Sequence, residues 1–155
     1  MVFADILRGL HVLVVEDEPL IALDIKDILE NSDVSVVGPA ARVSEALALL
    51  AQNRPDAAVL DVRLQADTTT FPVADWLREQ GIPFLFQTSD PDLIGPTYAE
   101  VPVLRKPFQA EQLLAKLWIS WRRPRIRRMR LSPRPQQCST HDILRSKARR
   151  RRTDS

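Results

Sequence analysis

Polar residues follow four short apolar runs of this sequence, at the point where each run ends. Glu16 and Asp17 come directly after one run, and Asp61, Thr88 and Lys106 follow three others. These residue types suit phosphoryl transfer to a carboxylate. An Asp can act as the nucleophile, a divalent cation and a Lys can neutralise the phosphoryl oxygens, and a hydroxyl can hydrogen-bond one of them. Clustered carboxylates repel one another unless a cation lies among them, and hard oxygen ligands suit Mg²⁺.

Each of these residues also has a purely structural explanation. Asp61 suits the start of a turn, because Asp favours such positions for local hydrogen bonding. Glu16 and Asp17 precede Pro19, which suits the first turn of a helix, so the acids can compensate the helix dipole. The hydroxyl and the ammonium can belong to an ordinary strand end and a solvated loop. Dipole compensation explains one acid better than it explains the three of Glu16-Asp17-Glu18, so the joint pattern favours a functional site.

The elements that must position these residues alternate between strand and helix. Apolar and β-branched runs predict strands over 10–15, 34–39, 57–61, 82–87 and 101–105. Helical spacing of apolar residues predicts helices over 19–31, 43–52, 71–80 and 109–120. Gly38-Pro39 is expected to stop the second strand, and Gly95-Pro96 predicts a weak or irregular segment before the fifth. This alternation predicts an α/β fold with a five-stranded parallel sheet, doubly wound and covered on both faces. The polar positions then meet at one edge.

Composition divides the 155-residue chain into two unlike parts. Residues 1–120 hold 9 Lys and Arg against 18 Asp and Glu, a net charge of −9, whereas residues 121–155 hold 13 against 2, a net charge of +11. We therefore expect a folded domain over 1–121 and a disordered, Arg-rich basic tail over 122–155. The single cysteine excludes an intrachain disulfide. No apolar run approaches a membrane span and no secretory signal opens the sequence, so the expected location is the cytoplasm.

The motifs around these residues resemble a known family in order and approximate spacing. They are Val14-Val15-Glu16-Asp17-Glu18-Pro19, Val59-Leu60-Asp61, Thr88 and Lys106-Pro107-Phe108. Over about residues 8–121 they resemble the receiver domain of two-component response regulators, of the stand-alone single-domain type with a flavodoxin-like fold. The resemblance implies that Asp61 accepts phosphate from a sensor histidine kinase or histidine phosphotransfer protein. It also implies that Thr88 is the switch hydroxyl and that Lys106 binds the phosphoryl group, ahead of a cis proline bond.

The same resemblance implies a set of magnesium ligands. Glu16 and Asp17 match the acidic pair that holds Mg²⁺ directly or through water, Asp61 completes the carboxylates, and the backbone carbonyl of Arg63 matches a further protein ligand. One departure is Val103, which stands where the family usually has an aromatic residue, three positions before the lysine. We expect no enzyme activity beyond Mg²⁺-dependent self-phosphorylation and autodephosphorylation.

Two functional classes stay open at this point. In the first, phosphorylation of Asp61 switches a surface that binds an unknown downstream protein. In the second, a receiver-gated or degenerate receiver binds nucleic acid or an anionic surface through the basic tail. Salt-dependent binding to unrelated DNA, lost on truncation after Ser120, would indicate the second. We favour the first, because the tail lacks an RNA-binding or helix-turn-helix pattern. An Asp-nucleophile phosphohydrolase is less favoured, because no second acid follows two residues after Asp61 to serve as general acid.

Overall fold

A computed structural model of the chain describes residues 2–123 and contains five strands and five α-helices within them. The strands are β1 (His11–Val15), β2 (Ser35–Ala40), β3 (Ala57–Asp61), β4 (Phe84–Thr88) and β5 (Val103–Arg105). The helices are α1 (Val2–Leu7), α2 (Pro19–Glu30), α3 (Val43–Gln52), α4 (Phe71–Glu79) and α5 (Ala110–Arg122). The predicted alternation of strand and helix is confirmed.

The strands form one parallel sheet in the order β2-β1-β3-β4-β5. Helices α1, α2 and α5 pack on one face of this sheet, and α3 and α4 pack on the other. The chain moves outward from β1 to β2 and then returns past β1 to β3. In doubly wound sheets, the carboxyl ends of strands at such a reversal border a crevice where ligands bind. The doubly wound, flavodoxin-like fold predicted from the sequence is confirmed.

The two faces of the sheet bury separate apolar clusters, because alternate residues of a strand point to opposite sides. In β1, Leu13 and Val15 pack with α3 and α4, whereas Val12 and Val14 pack with α2 and α5. Strands β3 and β4 are buried along their whole length, as is typical of central strands that carry helices on both sides. The polar residues at the ends of these strands are therefore held by a packed core.

The carboxyl end of β2 differs from the sequence prediction. Gly38-Pro39 does not stop the strand, which continues to Ala40 through a cis Gly38–Pro39 bond and an irregular register against β1. Proline is tolerated there because β2 lies at the edge of the sheet. The Ala40 carbonyl accepts a hydrogen bond from the Glu16 NH at 2.9 Å. The extended end of β2 thus supports the residue that follows β1.

The crossover from β4 to β5 holds two short 3-10 turns, Pro91–Leu93 and Pro96–Tyr98, where the other crossovers hold α-helices. This agrees with the irregular segment predicted from the Gly-Pro break. Tyr98 is buried, its ring stacks on Phe71 of α4 with centroids 5.1 Å apart, and its hydroxyl donates to Asp75 at 2.5 Å. Arg78 of α4 donates to the Thr97 carbonyl and to Glu100, so the crossover is anchored to α4 by an aromatic side chain and by an arginine.

Most predicted bounds differ from the observed ones by one or two residues. Strands β4 and β5 each begin directly after a proline, Pro83 and Pro102, because proline has no NH to donate to a strand ladder. Helix α5 extends two residues beyond its predicted end, to Arg122.

The predicted basic tail over 122–155 lies, from residue 124 onward, outside the described residues, so its predicted disorder stays a prediction. Across residues 2–123, none of the helices has the length and apolar character needed to span a membrane.

Candidate functional site

The carboxyl edge of the sheet brings the predicted site residues together. Glu16 and Asp17 follow β1, Asp61 and Thr88 are the last residues of β3 and β4, and Lys106 directly follows β5. All five line one open cavity of about 470 Å³. Because neighbouring parallel strands end at the same edge, side chains far apart in sequence converge there. The sequence prediction of their placement agrees with the structure.

Three carboxylates lie close enough to share one cation. One oxygen from each of Glu16, Asp17 and Asp61 lies within 4.8 Å of the others. Glu16 and Asp61 are buried, whereas Asp17 is partly exposed. An all-oxygen donor set that is open to solvent on one side fits Mg²⁺, which prefers carboxylate ligands and keeps several of its waters.

The backbone carbonyl of Arg63 is the further ligand that the sequence resemblance implies. Arg63 lines the same cavity and pairs with Thr69 in an isolated antiparallel bridge. The two hydrogen bonds of the bridge, 2.7 and 3.0 Å long, are made by the residues on either side of this pair. In a pair of that type, the NH and carbonyl of the paired residues point away from the partner strand. The bridge therefore leaves the Arg63 carbonyl available as a further oxygen ligand.

The ammonium group of Lys106 lies between the two buried acids. Its Nζ donates to Glu16 Oε2 at 3.0 Å and to Asp61 Oδ2 at 3.2 Å. Burial acts to lower the pKa of Lys106, but the two carboxylates outweigh it and raise that pKa above its ordinary value. The lysine is thus a permanent positive charge within hydrogen-bonding distance of Asp61, where it can neutralise charge on a group transferred to that carboxylate.

The two buried acids differ in pKa. Burial, together with the charge of Glu16, raises the pKa of Asp61 to about 6, and Lys106 offsets this only in part. Burial also acts to raise the pKa of Glu16, but hydrogen bonds from the Glu18 NH, Lys106 and Gln87 lower it below its ordinary value. Asp61 is therefore the carboxylate whose negative charge is less stabilised, and this suits the role of nucleophile.

Two polar side chains at the site were missed by the sequence analysis. Gln87 is fully buried, donates from Nε2 to Glu16 Oε2 at 2.5 Å, and has an Oε1 with no hydrogen-bond partner in the described part of the chain. The hydroxyl of Thr70 donates to the backbone carbonyl of Asp61 at 2.5 Å. A signal existed for Gln87, because it interrupts the apolar run of β4 with an amide. None existed for Thr70, whose contact depends on the path of a loop.

The hydroxyl of Thr88 connects the site to the irregular crossover. It accepts a hydrogen bond from the Asp90 NH at 3.0 Å and donates to the Asp90 carbonyl at 3.3 Å. Asp90 in turn accepts from the Asp92 NH and begins the first 3-10 turn. A ligand in the cavity that took the Thr88 hydrogen would replace the bond to the Asp90 carbonyl, so ligand binding and the start of the crossover are linked.

Comparison with known proteins identifies the family. The sequence profile described as the response regulator receiver domain matches residues 12–118. The chain belongs to this family. The receiver is 36% identical to the sensory transduction protein LytT of Bacillus cereus over 114 residues, 70% of this chain and 46% of LytT. It is 31% identical to the phyllosphere-induced regulator PhyR of Methylorubrum extorquens over 109 residues, 68% of this chain and 41% of PhyR. It thus spans less than half the length of these curated relatives.

Solved structures give the same assignment. The solution structure of SdrG from Sphingomonas melonis is 39% identical, with a TM-score of 0.66, and the match covers 72% of this chain and 95% of SdrG. A BeF3-activated conformation of SdrG is 38% identical, with a TM-score of 0.62 over the same shares of the two chains. The folded part of the chain is therefore a receiver domain, and phosphorylation and magnesium binding are typical of this family.

Two further features bear on the resemblance. The Lys106–Pro107 bond is cis, as expected. Val103, which replaces the usual aromatic residue, pairs in register with Phe86 of β4. Three rings lie next to Phe86: Phe71 of α4, Phe84 of β4, and Tyr98 of the crossover, whose T-shaped contact with Phe86 has centroids 5.4 Å apart. Aromatic side chains therefore lie in this region, but none of them comes from position 103.

Proposed function

We propose that the receiver accepts a phosphoryl group on Asp61 in a Mg²⁺-dependent reaction, and that this phosphorylation switches a protein-binding surface. The observation that carries the proposal is the position of Lys106, whose Nζ lies 3.2 Å from Asp61 Oδ2 and 3.0 Å from Glu16 Oε2. A cation in that position meets the oxygens of a phosphoryl group that arrives at Asp61.

The reaction needs one nucleophile and several groups that stabilise charge. A carboxylate oxygen of Asp61 forms a bond to phosphorus while the phosphorus–nitrogen bond of a phosphohistidine donor breaks. The electron pair of that bond leaves with the imidazole, which takes up a proton. Lys106 holds one phosphoryl oxygen, and the Thr88 hydroxyl donates a hydrogen bond to another. At neutral pH, Asp61 is ionised and ready to attack, since its pKa is about 6.

The oxygen ligands at the site have one role in this scheme. Glu16, Asp17, Asp61 and the Arg63 carbonyl would hold Mg²⁺, which would supply positive charge to neutralise the phosphoryl oxygens. Glu16 already accepts hydrogen bonds on both carboxylate oxygens, so a contribution through water suits it better than direct ligation. Asp17, the more exposed acid, is the natural direct ligand.

The output follows from the Thr88 contact. When the Thr88 hydroxyl turns to a phosphoryl oxygen, it gives up the Asp90 carbonyl at the start of the β4–β5 crossover. The phosphoryl group carries about −1.5 to −2 units of charge at neutral pH, but it replaces the charge of the Asp61 carboxylate, so the site gains at most about one negative charge. A local change of this kind can bias a two-state segment. The crossover, which is anchored to α4 through Tyr98 and through Arg78, is the segment we expect to change, and a downstream protein would recognise the altered surface.

We propose a sensor histidine kinase or histidine phosphotransfer protein as the phosphodonor, and a stand-alone role for the chain. The stand-alone role is supported by the match to SdrG, which extends along 95% of the SdrG chain. A BeF3-activated conformation of that relative supports a comparable activated state here. We propose no enzyme activity beyond self-phosphorylation and autodephosphorylation.

Intact-mass measurement after incubation with acetyl phosphate tests this proposal. We expect one phosphoryl adduct on the wild-type chain with Mg²⁺, and none with EDTA or in Asp61→Asn. The control Asp5→Asn changes an exposed carboxylate on α1 and should be modified like the wild type. Thermal unfolding confirms that each variant is folded. An adduct that survives in Asp61→Asn or without Mg²⁺, or a folded wild type that takes up no phosphate, would contradict the proposal.

A further inference from the structure

The outward face of α2 combines apolar and acidic side chains. Leu20, Leu23, Asp24 and Asp27 are spaced three or four residues apart and therefore lie on one side of the helix. All four are exposed; Leu20 retains 77% and Leu23 53% of its accessible surface. We call these four residues the α2 stripe. Because the opposite side of α2 packs into the core, the stripe contributes little to the stability of the fold and is open to a partner.

The stripe begins at the candidate site and runs away from it. Helix α2 starts directly after the acids that follow β1, so Leu20 lies near the carboxyl edge of the sheet and Asp27 lies toward the amino edge. Helix α5 packs beside α2 on the same face and runs in the same direction. It ends at the amino edge, where Arg123 donates to the backbone carbonyl of Glu100, ahead of β5. The chain therefore leaves the described residues on the side of the acidic end of the stripe.

The segment that follows has complementary chemistry. Residues 124–134 contain five Arg, three apolar residues and no acid. More broadly, residues 1–123 hold 11 Lys and Arg against 18 Asp and Glu, a net charge of −7, and residues 124–155 hold 11 against 2, a net charge of +9. Arginines and apolar side chains together suit a surface that carries both acids and leucines.

The segment is also long enough to reach the whole stripe. Eleven extended residues span about 36 Å. The twelve residues of α2 extend over about 18 Å, and neighbouring helices lie about 8–10 Å apart. A chain that crosses from the end of α5 to the end of α2 and returns along it thus needs less length than residues 124–134 provide.

We propose that residues 124–134 dock on the α2 stripe of the same chain, with arginines against Asp24 and Asp27 and apolar side chains against Leu20 and Leu23. Exposed ion pairs are individually weak and are screened by salt, so the docking is reversible and salt-dependent.

The single cysteine of the chain allows a direct test. Cys138 lies four residues beyond the segment and accepts a nitroxide label without any substitution. In the full-length ¹⁵N-labelled chain at low salt, we expect the label to broaden the backbone amide signals of residues 20–27. Reduction of the label should restore them, and so should salt near 1 M, where the Debye length is about 3 Å. Equal broadening on α3 and α4, or none on α2, would overturn the proposal.

Charge reversal separates this docking from general attraction between an acidic domain and a basic segment. Asp24→Lys combined with Asp27→Lys should abolish the broadening on α2. The matched control combines Glu79→Lys on α4 with Glu111→Lys on α5, both exposed, reverses the same number of charges and should leave the broadening unchanged. Retention in the double variant, or loss in the control, would overturn the assignment, and the amide spectrum of the remaining core shows whether each variant is folded.

A mixed sample identifies which chain supplies the segment. Spin-labelled chain at natural nitrogen isotope abundance is added to ¹⁵N-labelled chain that carries no spin label. We expect no broadening on α2 of the ¹⁵N-labelled chain. Broadening there would assign the docking to a second copy and overturn the same-chain proposal. The readout does not involve phosphate, so a failure of docking and a failure of Asp61 phosphorylation are independently visible.

Discussion

Gln87 Nε2 lies 2.5 Å from Glu16 Oε2 in the interior of the site, and the two residues are 71 positions apart in the sequence. Glu16 Oε2 also accepts from Lys106, and its Oε1 accepts from the Glu18 NH at 3.0 Å. These three donors allow a fully buried side chain to remain ionised. Gln87 therefore acts on the acidic cluster through Glu16, which makes it a positioning residue for the proposed reaction.

Gln87→Glu should destabilise the metal-free protein by about 3 kcal/mol at pH 7.5. The substitution exchanges a donor for a second buried carboxylate beside Glu16, and uncompensated buried charge is strongly unfavourable. Urea unfolding measures the loss, which should shrink as the pH falls and one carboxyl takes up a proton. The control Gln52→Glu, exposed at the end of α3, should change stability by less than about 0.5 kcal/mol. Equal stability of the two variants would contradict the proposed role.

Lys106→Met should lower the free energy of unfolding by about 3 kcal/mol without Mg²⁺, because it leaves Glu16 and Asp61 without their shared cation. Added Mg²⁺ should then raise the melting temperature more than it does in the wild type, since the metal no longer competes with the ammonium for these carboxylates. Thermal unfolding with and without Mg²⁺ tests both points. Lys116→Met, on α5 and away from the cavity, is the control. A smaller Mg²⁺ effect in Lys106→Met than in the wild type would exclude this competition.

Asp61→Asn should stabilise the metal-free protein at pH 7.5 by about 1–3 kcal/mol. The pKa of Asp61 is raised from 3.8 to about 6 in the fold. The folded state therefore prefers the protonated form, and the associated stability is present below about pH 4 and lost as the pH rises through 6. The gain from Asn should accordingly vanish near pH 4. Urea unfolding at both pH values measures it, and a gain that persists at pH 4 would contradict the assigned cause. Glu16, whose pKa is lowered, contributes with the opposite sign but is present in both proteins.

The affinity for Mg²⁺ should fall on acidification below about pH 6. Binding requires an ionised Asp61, so protonation of this group competes with the cation and reduces affinity by up to about tenfold per pH unit. Titration calorimetry in two buffers of different ionisation enthalpy should show proton release at pH 5.5 and very little at pH 7.5. Proton release of equal size at both pH values would assign the linkage to another group.

Gly38→Ala should destabilise the fold by more than about 1 kcal/mol. Gly38 has φ +95°, and a Cβ built on it would lie 2.7 Å from the Ala40 nitrogen and 3.1 Å from the Val14 carbonyl oxygen. Both neighbours are backbone atoms that cannot turn away. Gly95→Ala is the matched control, because its Cβ would meet nothing within 4 Å. Thermal unfolding of the two variants compares them, and a Gly38→Ala protein as stable as its control would show that β2 rearranges freely at this point.

The pattern of residue types along the chain was sufficient to predict the sheet and the convergence of its functional side chains. Strand-length apolar runs that alternate with helical segments permit only a few arrangements of a parallel sheet. In each of these arrangements, Asp61, Thr88 and Lys106 reach the same edge of the sheet, because each one lies at the carboxyl end of a strand or directly after it. Placement at a strand end is a local property, and it is therefore readable from neighbouring residues.

The contacts that complete the site depend on how distant segments pack. Gln87 reaches Glu16 only because β4 and β1 both flank β3 in the sheet, and Thr70 reaches the Asp61 carbonyl only because the loop after β3 folds back in a bridge. Tyr98 likewise gains its anchoring role from α4, not from its own segment. Residue types report local conformation and burial, whereas these hydrogen bonds and ring contacts arise from the relative positions of separate elements, which the packed core sets.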